Sequence, residues 1–298
     1  MTRAPEPSRR LDRPPAERSG TLTLAGDLPI RRLGFGAMRL TGRGVWGEPA
    51  HPAEAIAVLR RAVELGVTLI DTADSYGPGV SERLIAEALH PYPRDLVIAT
   101  KAGFQRPGPN RWVEDGRPEH LRSACDGSLQ RLKLERIDLL QLHRIDPKVP
   151  LEDQIGALLA LQREGKVRHI GLSEVTVPQI EAVRRLTPIA SVQNRYNLVD
   201  RNSEDVLRYC TREDIAFIPW FPLATGDLTG GTGPLARAAA RLHAQPAQVA
   251  IAWLLKKSPM MVPIPGTSNI EHLEDNTAAA LLDLDDATMD QLERQPAK

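Results

Sequence analysis

The sequence lacks net charge. Lys and Arg together number 38, and Asp and Glu together also number 38. A chain without a basic excess has no overall field that attracts a phosphate backbone or an anionic membrane surface. We therefore expect neither nucleic acid nor a membrane as a partner.

Cysteine is scarce, and long apolar runs are missing. Cys125 and Cys210 lie in different halves of the chain, in segments with helical patterning, and no secretory signal precedes them. They are expected to be free thiols in a cytoplasmic protein. No apolar run approaches the roughly 20 residues that cross a bilayer. The seven histidines never approach the close spacing of a helical His pair, so no metal is predicted.

The first twenty residues also lack large apolar side chains and are rich in Arg and Pro. Such a segment cannot bury enough surface to order itself, so 1–20 is expected to be a disordered tail. The remainder, 21–298, has the composition of a globular chain, with 42% apolar and 26% charged residues in the sequence as a whole. Its length suits a single large domain.

Within 21–298, short β-branched runs alternate with segments whose apolar residues recur at helical spacing. The eight runs are 33–38, 67–72, 96–101, 137–143, 168–173, 191–196, 216–220 and 261–265. Eight strands separated by helices indicate a closed (β/α)8 TIM barrel, an α/β fold. An open doubly wound sheet is disfavoured, because no glycine-rich nucleotide-binding motif follows the first run.

Two further elements accompany the barrel. Apolar and polar residues alternate around Gly26 and Asp27, which predicts an N-terminal β-hairpin across the bottom of the barrel. The segment 235–244 predicts an extra helix between the seventh strand and its main helix. The segments 104–117 and 43–51 are read as loops on the opposite, active-site face.

Reactive side chains stand where three strands end, which is the edge where TIM barrels carry their active sites. Asp71 ends the second run and Tyr76 follows in its loop, Lys101 ends the third, and His143 ends the fourth. Each alone is compatible with a structural role. Together, on neighbouring strands, they predict one catalytic site.

These residues stand in motifs that resemble the aldo-keto reductase family. The matching segments are GVTLIDTADSYG (66–77), the TK that ends LVIATK, the His of IDLLQLH, GLS (171–173), the Gln of SVQNRYN and PIPGTSNIEHLEDN (263–276). The resemblance covers about 21–290 and implies a catalytic tetrad of Asp71, Tyr76, Lys101 and His143. It also implies NADPH bound across the mouth of the barrel.

The chemistry of these side chains is consistent with carbonyl reduction. Hydride addition leaves an alkoxide that needs a proton, and a tyrosine with an ordinary pKa near 10 donates one reluctantly. An ammonium group on Lys101, held by Asp71, favours ionisation of Tyr76. His143 can donate a hydrogen bond to the substrate oxygen.

The resemblance further implies a set of cofactor contacts. Ser173 and Gln193 are expected to bind the carboxamide, and Trp220 to lie beneath the nicotinamide ring. The pyrophosphate is expected near Leu223, Thr225 and Gly226, and the 2'-phosphate near a helix N-terminus. The expected residues of that last segment are Pro265, Gly266, Thr267, Ser268, Asn269, His272, Asp275 and Asn276.

Three positions depart from the family pattern. Glu174 stands where many members have Asn, and an ionised carboxylate accepts hydrogen bonds but donates none. We expect it to face the carboxamide as an acceptor. Gly266 and His272 stand where NADPH-specific members often have Lys and Arg, which predicts a weaker preference for NADPH over NADH.

The substrate is less constrained. Trp46 and Trp112 are expected to line an aromatic-accepting pocket, although packing between loops is an equal alternative. The motifs are most similar to a bacterial subgroup that includes pyridoxal reductases, so pyridoxal is a first candidate. The expected partner is a small carbonyl substrate, and the chain is expected to be a monomer or a weak homo-oligomer.

Two other functions stay open. Lys101 at a strand end also fits the Schiff-base nucleophile of a barrel aldolase. Some relatives in the family bind the cofactor and serve as regulatory subunits of channels. Borohydride trapping would identify the first, and absence of turnover would identify the second.

Overall fold

The computed structural model describes residues 13–223 and 233–294. The strands are β1 Thr21–Leu24, β2 Leu28–Arg31, β3 Phe35–Gly36, β4 Leu69–Asp71, β5 Val97–Ala102, β6 Phe104–Gly108, β7 Arg111–Glu114, β8 Ile137–Leu142, β9 Val167–Ser173, β10 Ser191–Arg195 and β11 Ala216–Trp220. The α-helices are α1 Pro52–Glu64, α2 Val80–Leu89, α3 Pro118–Leu132, α4 Leu151–Arg163, α5 Val177–Arg184, α6 Glu204–Arg212, α7 Pro234–Arg241, α8 Pro246–Lys257, α9 Ile270–Ala278 and α10 Asp286–Glu293. Short 3-10 helices cover Pro15–Ser19, Ala37–Leu40 and Ala279–Leu281.

Seven of the strands form one parallel sheet in the order β11, β10, β9, β8, β5, β4, β3. The strands alternate with helices along the chain, and the apolar faces of those helices pack on the outside of the sheet. Parallel strands connected in this way place all their carboxyl ends at one edge. The predicted (β/α)8 barrel is confirmed.

The eighth strand is only a partial strand. The segment that begins at Met260 forms one parallel bridge, between Met261 and Phe217, and the Val262 N–H donates to Phe217 O at 2.8 Å. On its other side Gly34 N–H donates to Pro263 O at 3.0 Å, which closes the barrel against the first strand. Regular pairing stops there because Pro263 and Pro265 have no N–H to donate.

The predicted hairpin plugs the bottom of the barrel. Strands β1 and β2 pair antiparallel, and the turn between them contains Gly26 at φ +81°, a conformation that favours glycine. Leu24, Leu28 and Ile30 are buried in one cluster with barrel-interior residues such as Leu69. The predicted extra helix is α7.

The tail prediction extended too far. Residues 1–12 lie outside the described part of the chain, but Pro15–Ser19 form a 3-10 helix in which Ala16 is buried. The Ser19 hydroxyl accepts from Leu33 N–H at 3.0 Å, and Glu17 pairs with Arg31 at 2.6 Å. A short segment with little apolar surface is therefore ordered, because partners distant in sequence supply its contacts.

The loop prediction for 104–117 was also incomplete. Strands β6 and β7 form an antiparallel hairpin that starts three residues beyond Lys101, with Asn110 in the turn at φ +53°. Asn tolerates this left-handed conformation better than most residues. Pro107 and Pro109 hide the alternation that normally predicts strands, but the hairpin carries Trp112 toward the active-site edge.

The two cysteines are free, as predicted, and the structure buries both of them. Within residues 13–223 and 233–294, every helix is too short or too polar to cross a bilayer.

Candidate active site

The four predicted catalytic residues meet at the carboxyl edge of the sheet. Asp71 is the last residue of β4, Lys101 is the second-last of β5, and His143 directly follows β8. These strands are neighbours in the sheet, and Lys101 is in register with Gln141. Tyr76 is in the loop after β4 and reaches the same point.

Lys101 is hydrogen-bonded to two of the other predicted catalytic residues. Its ammonium nitrogen donates to three oxygens: Asp71 Oδ1 at 2.5 Å, the carbonyl of Thr72 at 2.7 Å and Tyr76 Oη at 3.2 Å. The side chain of Lys101 is 0% exposed and that of Asp71 is 2% exposed. An ammonium has three protons, so all three are used within the protein.

The charge of Lys101 follows from this arrangement. Burial acts to lower the pKa of Lys101, but the Asp71 carboxylate and the Tyr76 hydroxyl outweigh it, and the pKa is raised above its usual value. Lys101 is therefore a fixed cation beside the tyrosine. A fixed cation is a poor nucleophile, which weakens the aldolase alternative.

Tyr76 is buried and holds its proton. Burial raises the pKa of Tyr76 above its usual value, and the nearby Lys101 ammonium opposes that rise without cancelling it. Lys101 therefore acts on the pKa of Tyr76 in the predicted direction, but the effect of burial is larger. The phenol enters the reaction protonated, as a proton donor must.

His143 is neutral. Burial and the charges of Lys101, Arg144 and Arg106 hold the pKa of His143 well below its usual range. Ser75 Oγ lies 3.4 Å from His143 Nδ1. A serine hydroxyl that donates to Nδ1 leaves the proton on Nε2, where it can be donated to a substrate oxygen.

A cavity of 520 Å³ opens above these groups. Tyr76 and His143 form part of its lining, and Trp112 and Phe104 form an aromatic wall beside them, with the Phe104 and His143 ring centroids 4.6 Å apart. Trp46 is not among the lining residues. It packs instead on Arg106, whose guanidinium also stacks on Trp112 at 3.6 Å. The structure brings Trp112, and not Trp46, to the cavity.

Three of the predicted nicotinamide contacts line this cavity: Ser173 at the end of β9, Gln193 in β10 and Trp220 at the end of β11. Gln193 Nε2 donates to Asp71 Oδ2 at 2.9 Å, so the amide oxygen of Gln193 is turned away from Asp71. Ser173 Oγ accepts from Arg144 at 3.1 Å and keeps its own proton to donate. One acceptor and one donor are thus available for a carboxamide.

Glu174 was expected to face the carboxamide of the cofactor, but its carboxylate contacts Trp220 and Arg195. Its Oε1 accepts from the Trp220 indole N–H at 2.5 Å and from the Arg195 backbone N–H at 2.6 Å. The backbone of Glu174 is in the left-handed region, at φ +54°. Because Glu174 is absent from the cavity lining, we infer that it acts by fixing the indole of Trp220.

This role predicts a difference between two substitutions. Glu174→Ala removes the acceptor of a half-buried indole, and NADPH affinity should fall about three- to tenfold, the effect of one hydrogen bond. Glu174→Gln keeps an acceptor oxygen and should bind within about twofold of the wild type. Tryptophan fluorescence titrations with NADPH measure both. Equal losses in the two variants would mean that the charge of Glu174 matters and the indole contact does not.

The segment after the eighth strand has the form expected of a phosphate site. Asn269 caps α9 by accepting from His272 N–H at 2.9 Å, and Thr267 Oγ1 accepts from Asn269 N–H at 3.1 Å. Ser268 and His272 are exposed. A helix N-terminus with exposed donors suits an anion.

The other residues predicted for that segment differ in exposure. Gly266 lines the cavity and packs directly on the carbonyl oxygen of Gly36, which leaves no room for a larger residue. Pro265 and Asn276 are buried, and Asp275 is exposed. In the preceding loop, Leu223 lines the cavity. Thr225 and Gly226 lie outside the described residues.

A second buried carboxyl lies in the catalytic loop. Asp74 Oδ1 is buried without a hydrogen-bond partner among the described residues. Burial and the charge of Glu82 raise the pKa of Asp74 from 3.8 to about 7, although Arg131 opposes this. Between those two pH values the folded protein keeps a proton that the unfolded chain loses. Stability is therefore lost as pH rises through this window.

Asp74→Asn should remove this pH dependence. At pH 8 the variant is expected to be more stable than the wild type by about 1–3 kcal/mol, because a carboxylate whose charge is disfavoured by burial and by Glu82 is replaced by a neutral amide. Near pH 4 the two proteins should differ little. Urea unfolding at both pH values measures the difference, and a constant difference across pH would show that Asp74 does not titrate in this window.

Several lining residues were missed from the sequence, chiefly Phe104, Arg144 and Met38. Arg144 had a signal, since it directly follows a strand-end histidine. Phe104 depends on the hairpin that was read as a loop. Met38 belongs to the short helix after β3, whose position over the cavity is set by barrel closure.

Known proteins agree with this geometry. The profile of the Aldo/keto reductase family matches residues 32–295. An uncharacterised oxidoreductase of Schizosaccharomyces pombe is 49% identical over 280 residues, which is 94% of this chain and 91% of the relative. Pyridoxine 4-dehydrogenase of Escherichia coli is 41% identical over 286 residues, which is 93% of this chain and 99% of the relative.

Solved structures share the fold over nearly the whole chain. A glycerol dehydrogenase from Gluconobacter oxydans superposes with a TM-score of 0.84 at 25% identity, covering 92% of this chain and 94% of that one. An aldo-keto reductase from Klebsiella pneumoniae, solved in complex with NADPH, superposes with a TM-score of 0.79 at 27% identity, covering 93% and 95%. The chain therefore belongs to the aldo-keto reductase family of oxidoreductases.

Proposed function

We propose that this protein reduces aldehydes or ketones to alcohols with NADPH, and that Tyr76 protonates the carbonyl oxygen. The observation that carries the proposal is the triple hydrogen bonding of Lys101 to Asp71, Thr72 O and Tyr76 at the base of an open cavity. A buried phenol held by a fixed cation suits proton donation to a developing alkoxide. The Klebsiella relative solved with NADPH supports the choice of cofactor.

The residues present fit a nicotinamide nucleotide. Ser173 offers a donor and Gln193 an acceptor for the carboxamide, and Trp220, held by Glu174, offers a flat face at the cavity wall. The start of α9 offers donors for a phosphate. When bound, NADPH supplies the hydride that the side chains of this site cannot supply.

The proton step follows from the protein's own groups. The neutral His143 donates a hydrogen bond to the substrate oxygen and orients the carbonyl toward the Tyr76 hydroxyl. As negative charge grows on that oxygen, the proton of Tyr76 moves to it, and the Lys101 ammonium at 3.2 Å stabilises the phenolate that remains. The aromatic wall of Phe104 and Trp112 limits the access of water.

Pyridoxal is the first substrate to test. The E. coli relative named pyridoxine 4-dehydrogenase supports this choice, as does the aromatic wall beside the tetrad. A flat ring packed against the wall formed by Trp112 and Phe104 would place an aldehyde near Tyr76. The regulatory-subunit alternative gains no support from a cavity with a complete tetrad at its base.

An initial-rate panel tests the proposal. Pyridoxal, simple aldehydes and ketones are assayed with NADPH and with NADH. We expect turnover of aldehydes with a higher kcat/KM for NADPH, because the start of α9 offers an exposed phosphate site. A higher kcat/KM with NADH would contradict the cofactor assignment. Absence of turnover with every carbonyl would contradict the enzymatic role and favour the regulatory one.

A further inference from the structure

Arg144 is a half-buried cation in the wall of the cavity. It directly follows His143, and its Nη1 donates to His143 O at 2.6 Å and to Ser173 Oγ at 3.1 Å. Its guanidinium lies 5.5 Å from the ring centroid of Phe104. The group is therefore held in one place, beside the Phe104 ring that also contacts the imidazole of His143.

Arg144 has no carboxylate partner in an ion pair; Arg32 and Arg106, which donate only to carbonyls, share this feature, but neither of them lines the cavity. Arg31 pairs with Glu17, and Arg131 pairs with Glu82. Arg144 takes part in none of the ion pairs found within residues 13–223 and 233–294, and there its hydrogen bonds all come from Nη1. Burial lowers the pKa of Arg144, but the usual pKa of a guanidinium lies far above neutral pH. The group stays charged, with Nη2 and Nε free of protein acceptors in this part of the chain.

Glu174 and Glu114, whose charges act to raise the pKa of Arg144, lie outside the cavity lining, and the rest of the lining gives this cation no counter-charge. Asp71 is the one acidic side chain among the described lining residues, and Lys101 already neutralises it. Arg39, at the rim, adds a second positive charge. A partly desolvated guanidinium that faces an apolar cavity suits the binding of an anion, with which it can form short, charge-assisted hydrogen bonds.

We propose that the substrates of this enzyme are carbonyl compounds that carry a carboxylate or phosphate group, and that Arg144 binds this group. The inference rests on the proposed carbonyl reduction. The carbonyl lies at Tyr76 and His143, the apolar body lies against Phe104, and the anion lies at the free edge of Arg144. An aromatic ring or a chain of a few carbons separates the two ends of such a substrate.

The test compares substrates with and without the anionic group, and the ratio within each pair is compared between the wild type and the variants. One pair is 4-carboxybenzaldehyde and methyl 4-formylbenzoate, and the other is pyridoxal 5'-phosphate and pyridoxal, so that carboxylate and phosphate are separated. The variant is Arg144→Gln. The matched control is Arg163→Gln, which removes an exposed arginine at the end of α4. Both variants and the wild type are assayed at one ionic strength.

We expect the wild type to favour the charged member of at least one pair by about tenfold or more in kcat/KM, the effect of a charge-assisted hydrogen bond. Arg144→Gln should bring that ratio to about one, because the charged member loses its charge-assisted hydrogen bond and the neutral member has none to lose. Arg163→Gln should keep the wild-type ratio. The pair that responds identifies the anion.

Two outcomes overturn the inference. One is a wild-type ratio near one in both pairs, and the other is a ratio that survives in Arg144→Gln. A ratio that survives while both substrates lose activity equally would mean that Arg144 acts only by positioning His143 and Ser173.

A binding measurement separates this inference from the proposed function. Benzoate is titrated against tryptophan fluorescence in the presence of NADP. If the wild type reduces no carbonyl, the proposed function fails, but benzoate binding still tests Arg144. Binding that weakens about tenfold in Arg144→Gln supports an anion site. Binding that is unchanged in the variant, or absent from the wild type, overturns it.

Discussion

Tyr76→Phe is expected to lose about 10²- to 10⁴-fold in kcat, the usual contribution of general acid catalysis, while its Kd for NADPH stays at the wild-type value. The substitution removes one oxygen and keeps the ring, which packs edge-on against Trp112 and His143. The cavity wall is thereby preserved. Only the proton and the hydrogen bond from Lys101 are lost.

The measurement is kcat with a good aldehyde, with hydride transfer shown to be rate-limiting by a kinetic isotope effect from deuterated NADPH. Tyr92→Phe is the matched control, because its hydroxyl donates to Leu132 O, far from the cavity. The control should keep its full turnover. If Tyr76→Phe turns over like the control, the proton comes from another group and the assignment of this site is wrong.

Lys101→Met is expected to lose both activity and stability. The phenolate of Tyr76 loses the cation that stabilises it, so kcat should fall by a factor comparable to that of Tyr76→Phe. The Asp71 carboxylate also stays buried without its ion-pair partner, which typically costs 3–5 kcal/mol. We expect about 3 kcal/mol, the low end of that range, because Gln141 and Gln193 still donate to Asp71 at 2.9 Å each.

A double variant separates the two effects. In Asp71→Asn/Lys101→Met both charges are gone, so much of the lost free energy of unfolding should return, because neither side chain is left as an unpaired charge. Activity should not return, since nothing restores the cation beside Tyr76. Urea unfolding of the single and double variants measures the recovery. A double variant no more stable than Lys101→Met would contradict the account of Asp71 as an unpaired buried charge.

The position of the tetrad could be predicted because it depends on strand ends. A run of β-branched residues that stops at a reactive side chain puts that side chain at one edge of a parallel sheet, whichever helices pack outside. Asp71, Lys101 and His143 all follow this rule. Tyr76 follows it less directly, since it stands in the loop only five residues beyond Asp71.

The irregular elements were harder to predict. The eighth run was expected as a full strand, but its two prolines reduce it to a bridge between Met261 and Phe217. The hairpin of β6 and β7 was read as a loop, because its prolines interrupt the alternation of apolar and polar residues. In both places proline removes the backbone hydrogen bond on which the pattern depends.

The sequence by itself determined the barrel, the bottom hairpin and the four strand-end groups, because each depends on periodicity over a few neighbouring residues. Only the tertiary structure decided what those groups touch. It paired Glu174 with Trp220 across 46 positions of the chain and left Arg144 facing the cavity without a carboxylate among the described residues. The physical reason is that such pairings depend on which strands become neighbours when the barrel closes, and no local pattern records the identity of a partner on another strand.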